Sequence, residues 1–165
     1  MPHLAVLINN AGIAGTPSPD LSDFRSTYTA VFDTNITSVG LLTSAFLPLL
    51  TKSPDPRVIN VSSGRASIQR LTDGSLPPTV SVPYSVSKVA LNALTIEMAK
   101  AKEAEGVAFY VANPGHCRTD LNGNRGPKPP VEGARVVVEL ALAERGVFGE
   151  GFWEVEEGVV RRVPW

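Results

Sequence analysis

The length and composition of the chain, 165 residues of which 43% are hydrophobic and 19% charged, predict one globular domain over residues 1–165 with a sizeable core. A formal net charge of −1 gives no basic footprint for nucleic acid, and the longest apolar run, Val39–Leu50, is too short and too interrupted to span a bilayer. The single cysteine excludes an internal disulfide and residues 1–12 lack the basic segment of a signal peptide, so a reducing, cytoplasmic setting is expected.

The first predicted element is an apolar strand, Leu4–Ile8, that runs directly into Asn9–Gly12. A loop rich in Pro, Gly and Ser follows, and Ser22 is the candidate cap of the next helix. That helix is predicted over Phe24–Leu50. The prolines of segment 52–56 end it, since proline cannot continue a helix.

The second predicted strand is the β-branched stretch Arg57–Val61, which ends in Ser62 and Ser63. Residues 64–82 read as a polar loop that contains Pro77-Pro78. A helix is then predicted from about Val82 to Glu105, with glycine directly after it as the stop signal.

The third predicted strand, Val107–Ala112, is closed by Asn113-Pro-Gly115. Residues 121–130 are rich in Gly, Pro and Asn and are expected to form a mobile lid. A final helix over about Val131–Ala143 and a last strand over Gly151–Val155 complete the chain.

Apolar strands that alternate with long helices predict an α/β fold with a parallel sheet. Each predicted strand ends in small polar residues, and parallel strands bring their carboxyl ends to one edge of the sheet. Ligands bind outside that edge in folds of this class. The polar clusters after the strands are therefore the candidate site.

Tyr84 and Lys88 are the most informative pair in the sequence. Four residues apart on a helix, they share one face. A phenol has a pKa of about 10 in water, and a neighbouring ammonium favours the phenolate, which would make Tyr84 a usable general acid or base. The alternative is a helix that carries one surface tyrosine and one surface lysine.

The combination of these motifs closely resembles the short-chain dehydrogenase/reductase family, over essentially the whole chain. The motifs that carry the resemblance are Asn9-Asn-Ala-Gly12, Asn35, Ser63, Tyr84-x-x-x-Lys88 and Asn113-Pro-Gly-x-x-x-Thr119. The C-terminal third is most similar to the carbonyl-reductase-like branch. The resemblance implies a partial Rossmann-type doubly wound parallel sheet, corresponding to the C-terminal two-thirds of the usual domain.

Family members begin with a strand, a Gly-rich turn and a helix that receives the dinucleotide pyrophosphate, and no such Gly-rich turn follows a strand here. The comparison implies that about the first third of a domain of ~250 residues is absent, through an incomplete sequence or a natural short form. We expect the outer edge of the Leu4–Ile8 strand to be bare and the isolated 165-residue chain to bind nicotinamide dinucleotide poorly.

The resemblance also implies roles for four catalytic residues. Tyr84 would donate the proton, and Ser63 would hydrogen-bond the reacting oxygen. Lys88 would lower the pKa of Tyr84 and bind the nicotinamide ribose. Asn35 would bend its helix and hold a water in a proton relay.

Some of these positions have structural alternatives. Ser62 competes with Ser63, because successive strand residues face opposite sides of a sheet. Asn35 could be a mid-helix polar residue with a local backbone bond, and Thr119 could cap a helix. His116 and Cys117 are taken as bystanders, and no metal site is expected.

The expected cofactor is NADP or NAD, with NADP slightly favoured. Its binding residues by resemblance are Asn10, Ala11, Gly12, Tyr84, Lys88, Pro114, Gly115 and Thr119. The expected activity is an NAD(P)-dependent interconversion of a small carbonyl or alcohol substrate, in a monomer or a homo-oligomer with no nucleic-acid or membrane partner. The alternative is a catalytically inactive remnant that acts as a binding or regulatory module, or has no function.

Overall fold

The computed structural model describes residues 2–165, and a five-stranded sheet is its centre. The strands lie side by side in chain order, and the first four are parallel while the fifth is antiparallel to the fourth. Their bounds are β1 Val6–Asn9, β2 Arg57–Val61, β3 Ala108–Asn113, β4 Gly151–Glu156 and β5 Val159–Arg162. The predicted α/β fold with a parallel sheet is confirmed.

Five α-helices connect and cover these strands. Their bounds are α1 Phe24–Phe32, α2 Ser38–Leu50, α3 Ile68–Thr72, α4 Val82–Ala99 and α5 Pro130–Leu142. A π-helical turn, Asp33–Thr37, joins α1 to α2, so helical structure is continuous over the predicted residues 24–50. Short 3₁₀ turns lie at Gly64–Ala66, Lys102–Ala104 and Asp120–Asn122.

The helices lie on both faces of the sheet and bury it between two apolar layers. On one face, α5 packs Val136 and Leu140 against Ile59, Tyr110 and Trp153. On the other face the layer is built from Leu50, Val58, Ala104, Val107 and Phe109. Residues of β2 are buried from Arg57 to Asn60, as expected for an inner parallel strand covered on both sides.

The 24–50 helical stretch buries a narrow stripe. Its buried residues recur at helical spacing, and they are Val31, Asn35, Val39, Thr43 and Leu50. Several apolar side chains outside this stripe are exposed, including Leu41, Leu42 and Phe46. Among residues 2–165, this stretch alone is long and apolar enough to cross a membrane by length and composition, and 22% of its most apolar window is buried. The buried stripe, with Asn35 and Thr43 among its residues, is the face by which this stretch packs on the rest of the fold.

A ladder of buried polar side chains ties β1 and β2 to the helices above them. Asn9 lies opposite Asn60 in the register, and its Nδ2 donates to Asn60 Oδ1 at 2.8 Å and to Thr43 Oγ1 at 3.1 Å. Asn60 Nδ2 in turn donates to Thr95 Oγ1 at 2.8 Å. The ladder therefore joins α2, β1, β2 and α4 through groups that satisfy one another.

Several predicted bounds are wrong. Asp23, not Ser22, is the N-cap residue of α1. α4 ends at Ala99 instead of Glu105, and a 3₁₀ turn occupies the next residues. Strand β5 was not predicted. It pairs with β4 across a two-residue turn in which Glu157 and Gly158 have φ of 49° and 81°, values that suit a tight hairpin.

Two predicted loops are more structured than expected. The 64–82 segment contains a 3₁₀ turn and α3 before it becomes irregular. The 121–130 segment is held near its two ends by a backbone hydrogen bond, which Arg118 N donates to Lys128 O at 2.8 Å. As predicted, β1 is an edge strand, and within the described residues it pairs with β2 alone. Ile8 on this strand is 43% exposed.

Candidate active site

The predicted site residues lie around the carboxyl ends of β1, β2 and β3. These strands are parallel and in register, so the segments that follow them leave the sheet at the same edge. α4 places Lys88 at this edge, where its Nζ donates a 2.8 Å hydrogen bond to the carbonyl of Val61, the last residue of β2. The predicted convergence of strand ends and the Tyr84–Lys88 helix is therefore present.

Lys88 is a buried cation. It is 3% exposed, and burial lowers its pKa from 10.5 to about 8. A Cβ added to Gly12 would lie 3.4 Å from Lys88 Nζ and 3.5 Å from Asn35 Oδ1. Gly12, in the segment that follows β1, thus packs between these two side chains. It brings that segment into contact with Lys88 of α4 and Asn35 of the π-helical turn.

Tyr84 shares a face of α4 with Lys88, whose Nζ lies 5.8 Å from the centroid of the phenol ring. Burial raises the pKa of Tyr84, and a side-chain hydrogen bond with Ser63 offsets this only in part. The prediction that Lys88 lowers the pKa of Tyr84 is therefore wrong for this structure. The helical spacing correctly predicted the position of the ammonium, but loss of solvation has the largest effect on the pKa of the phenol.

The two serines after β2 have different environments. Ser62 is buried, and its Oγ donates to Asn92 Oδ1 on α4 at 2.7 Å. Ser63 is half-buried, and its Oγ accepts from Arg65 N at 3.2 Å. Its hydroxyl is close enough to Tyr84 to lower the pKa of the phenol. Ser63 is thus the hydroxyl beside the phenol, and Ser62 serves the packing of α4.

Asn35 is fully buried in the π-helical turn and binds the segment after β1. Its Oδ1 accepts from Ile13 N at 2.9 Å, and its Nδ2 donates to Ile13 O at 2.9 Å. Nδ2 also donates to Ser87 Oγ at 2.9 Å. These bonds join two distant parts of the chain, so Asn35 is not the locally bonded mid-helix residue of the alternative interpretation.

The segment after β3 is held by Asn113 and closed by a lysine. Gly115 has φ of +79°, a conformation that favours glycine, and its N donates to Asn113 Oδ1 at 3.0 Å. Lys128 Nζ donates to Pro114 O at 3.2 Å. Thr119 precedes a three-residue 3₁₀ turn, Asp120–Asn122, and its N donates to Asn122 Oδ1 at 3.4 Å.

The remaining predicted residues lie at the margin of this group. Asn10 and Ala11 are exposed, as is His116, and Cys117 is half-buried with its pKa raised by burial. Among residues 2–165, no group of three His, Cys, Asp or Glu side chains could hold a metal ion. Two surface hollows, of about 270 and 620 Å³, are lined by other residues of α2, α4 and the strands, none of them a predicted site residue.

Sequence reasoning missed two polar side chains that contact the site. Ser87 Oγ donates to the Tyr84 carbonyl at 2.7 Å and accepts from Asn35. Glu154 on β4 accepts from Asn113 Nδ2 at 2.7 Å. A signal for Glu154 was present, because a carboxylate within a strand predicted to be buried needs partners.

Comparisons with known proteins agree with this geometry. The family model described as short chain dehydrogenase matches residues 1–130. A short-chain dehydrogenase/reductase of Aspergillus fumigatus is 41% identical over 99% of the chain and 67% of its own length. A short-chain dehydrogenase of Penicillium roqueforti is 38% identical over 89% of the chain and 61% of its own length.

Solved structures give the same result. The NADPH-bound carbonyl reductase from chicken fatty liver superimposes with a TM-score of 0.79 at 28% identity, over 99% of this chain and 67% of that one. The carbonyl reductase Sniffer of D. melanogaster gives a TM-score of 0.77 at 27% identity, with the same coverage. The chain thus spans about two thirds of the length of these relatives.

Proposed function

Because the chain belongs to the short-chain dehydrogenase/reductase family, we propose that it is an NAD(P)-dependent oxidoreductase that interconverts a carbonyl and an alcohol by hydride transfer. The observation that carries this proposal is the position of the Tyr84 phenol, with the Ser63 hydroxyl close enough to affect its pKa and Lys88 on the same helical face. These groups are a proton donor, an oxygen-binding hydroxyl and a cation at one strand edge. That assembly, with matches to dehydrogenases, favours an enzyme over an inactive binding module.

The residues at this edge fit a nicotinamide dinucleotide, which when bound supplies the hydride donor or acceptor. An ammonium has three N–H donors, and Lys88 makes one recorded hydrogen bond, to Val61, so it can also donate to ribose hydroxyls. Gly12 and Gly115 each lie against a lysine, because an added Cβ would be 3.4 Å from Lys88 Nζ and 3.2 Å from Lys128 Nζ, respectively. The residues that would hold the cofactor are Asn10, Ala11, Gly12, Tyr84, Lys88, Pro114, Gly115 and Thr119.

Tyr84 would act as the general acid in the reduction direction. Its raised pKa keeps the phenol protonated at neutral pH, which is the form that donates a proton to a developing alkoxide. Ser63 would donate a hydrogen bond to the same oxygen and stabilise its negative charge. In the oxidation direction the Tyr84 phenolate would accept the proton from the alcohol.

Asn35 would act by holding the cofactor-binding segment in place. Both the oxygen and the nitrogen of its side-chain amide hydrogen-bond the backbone of Ile13. Ile13 lies two residues after Ala11, one of the proposed cofactor contacts. Its bond to Ser87 continues to the carbonyl of Tyr84. The water relay through Asn35 stays a prediction.

NADP is slightly favoured over NAD as the cofactor, supported by the NADPH-bound carbonyl reductase that shares the fold. The substrate class is a small aldehyde, ketone or alcohol with apolar character, because Ile13, Leu71 and Leu121 are exposed apolar residues of the segments next to the site. A cytoplasmic location and a monomer or homo-oligomer complete the proposal.

The proposal is tested by following nicotinamide absorbance with NADPH or NADH and a panel of aldehydes and ketones. We would assay the chain itself and a chimera in which the part of the Aspergillus fumigatus relative N-terminal to the matched region precedes it. Tyr84→Phe in each protein sets the background. Carbonyl-dependent oxidation above that background is expected in the chimera. Its absence with both cofactors, in folded protein, would refute the proposed function.

A further inference from the structure

Glu154 is a buried carboxylate at the centre of a hydrogen-bond network that the proposed chemistry does not use. The residue is 7% exposed and lies on β4. Its Oε2 accepts from Asn113 Nδ2 at 2.7 Å and from Arg70 Nη1 at 3.0 Å. Its Oε1 accepts from Arg70 Nη2 at 2.6 Å and from Arg161 Nε at 3.2 Å.

The network keeps this carboxylate charged. Burial alone would raise the pKa of Glu154, but hydrogen bonds from Arg70, Asn113 and Arg161 lower it below its usual range. A buried charge with this many partners is strongly oriented, since removal of any one leaves an unpaired polar group. Glu154 therefore acts as a fixed acceptor inside the fold.

The fixed acceptor determines which way the Asn113 amide points. With Nδ2 donating to Glu154, the oxygen of the amide faces the opposite direction. There, Oδ1 accepts from Gly64 N at 2.8 Å and from Gly115 N at 3.0 Å. A reversed amide would set its NH₂ group against two backbone donors.

These two glycine amides belong to two different turns of the site. Gly64 directly follows Ser63, the hydroxyl beside Tyr84, and Gly115 lies in the turn proposed to contact the cofactor. A Cβ on Gly64 would lie 3.3 Å from Asn113 Nδ2 and 3.6 Å from Arg70 Nη1, so the turn is packed directly on the network. One side-chain oxygen thus fixes the distance between the two turns.

Arg70 extends the same network to the wall of the site. It lies on α3, whose backbone is also tied to the end of the chain by the bond from Gln69 N to Trp165 O at 3.1 Å. Its two-point contact with Glu154 restrains the 64–72 segment that begins at the Ser63–Gly64 turn.

We propose that Glu154 is a positioning residue that, through the Asn113 amide, holds the Ser63–Gly64 turn against the Asn113–Gly115 turn and so sets the position of the Ser63 hydroxyl. The catalytic consequence rests on the proposed function. The structural consequence does not, and the two are tested separately.

The structural test is amide proton exchange of Gly64 and Gly115, measured by NMR in wild type and in Glu154→Gln. A glutamine has one acceptor oxygen, so its NH₂ group must face one of two sets of donors, Asn113 with Arg70 Nη1 or Arg70 Nη2 with Arg161. Either placement loosens the network around the Asn113 amide, and both glycine amides should exchange roughly tenfold faster. Glu139→Gln, which changes a half-exposed carboxylate paired with Arg135 on α5, should leave both unchanged. If Glu154→Gln does not fold, the shorter carboxylate of Glu154→Asp should give the same paired loss. Unchanged protection in the folded variant, or loss at one glycine alone, would overturn the proposal.

The catalytic test is a double-mutant cycle on kcat with Ser63→Ala. If Glu154 acts through Ser63, Glu154→Gln should lower kcat about tenfold in wild type but by less than about twofold in the Ser63→Ala background. Equal effects in both backgrounds would overturn the positioning role. If wild type and chimera show no turnover at all, the proposed function fails, and amide exchange alone decides the structural role of Glu154.

Discussion

The ammonium of Lys88 lies 5.8 Å from the centre of the Tyr84 ring and donates its recorded hydrogen bond to the backbone of Val61 at the end of β2. The pair is therefore a half-buried phenol beside a buried cation that is anchored to the sheet. Because both groups lose solvation, burial moves both pKa values towards the neutral forms. Charge at this site is costly to the folded state, and that cost can be measured.

Lys88→Met should stabilise the protein at neutral pH. The folded pKa of Lys88, about 8, lies below its ordinary value of 10.5, so the unfolded chain binds more protons between these pH values and the free energy of unfolding rises with pH across that window. Below this window, burial of the charged lysine costs the folded wild type about 3 kcal/mol, and Lys88→Met removes that cost. The variant also loses the hydrogen bond to Val61, which costs it about 1 kcal/mol. Urea denaturation should show the variant about 2 kcal/mol more stable near neutral pH. The difference should shrink as pH rises from about 8 to 10.5 and end about 1 kcal/mol in favour of wild type, which keeps the Val61 bond.

The control for this prediction is Lys100→Met, which removes a lysine whose side chain is 65% exposed. Its stability should stay within about 0.5 kcal/mol of wild type at every pH. A Lys88→Met protein that is less stable than wild type at neutral pH would show that the ammonium is not destabilised by burial.

Ser63→Ala and Ser62→Ala should separate catalysis from packing. Loss of the Ser63 hydroxyl should lower kcat roughly a hundredfold, because the reacting oxygen loses a hydrogen-bond donor. Loss of the Ser62 hydroxyl leaves Asn92 without its 2.7 Å partner, which should cost about 1–2 kcal/mol of stability and leave kcat within about twofold. Steady-state kinetics with urea denaturation would measure both, and a reversed pattern would assign the catalytic hydroxyl to Ser62.

Asn60→Ala should be strongly destabilising. Asn60 is 1% exposed and bonds both Asn9 and Thr95 at 2.8 Å, so its removal breaks two buried hydrogen bonds and leaves a cavity, which should cost about 2–4 kcal/mol. Asn9→Ala in the same chain should cost less than it does alone, since its partner is already lost. Additive effects in thermal or urea denaturation would show that the ladder does not act as a unit.

Gly115→Ala and Gly106→Ala form a matched pair of substitutions. Both glycines have positive φ, +79° and +83°, so each alanine should cost about 1–2 kcal/mol of stability. A Cβ at Gly115 would also lie 3.2 Å from Lys128 Nζ, whereas one at Gly106 would meet nothing within 4 Å. We therefore expect Gly115→Ala alone to weaken NADPH binding to the chimera in isothermal titration. Equal binding by the two variants would remove the 114–115 turn from the proposed cofactor site.

The strands and the long first helix could be predicted from the sequence because their signals are local. β-branched runs end in polar residues at β1, β2 and β3, and prolines stop the helical stretch after Leu50. The π-helical turn at Asn35 could not be predicted in this way, because the bonds that accompany it come from Ile13, 22 residues away. β5 was missed although the Glu157–Gly158 pair between two apolar stretches is a hairpin signal.

The candidate site was predicted by motif, but its energetics were not. Helical spacing places Lys88 beside Tyr84, yet it does not report how deeply either is buried, and burial decides the direction in which the Tyr84 pKa moves. The alternation of side chains along a strand predicts that Ser62 and Ser63 face opposite sides of the sheet. Only their positions relative to Asn92 and Tyr84 show which serine lies beside the phenol. The partners of Glu154 come from three separate segments, so its role depends on tertiary structure alone.

The central claim, that Tyr84 is the proton donor, is tested most directly by Tyr84→Phe in the chimera. Removal of one oxygen should lower kcat by roughly a hundredfold or more and leave the Kd for NADPH within about twofold, because only the transition-state proton is lost. Tyr28→Phe, which removes a phenol oxygen from the aromatic cluster with Phe24 and Phe32 on α1, should change neither value. Carbonyl reduction at an undiminished rate by Tyr84→Phe would contradict the account.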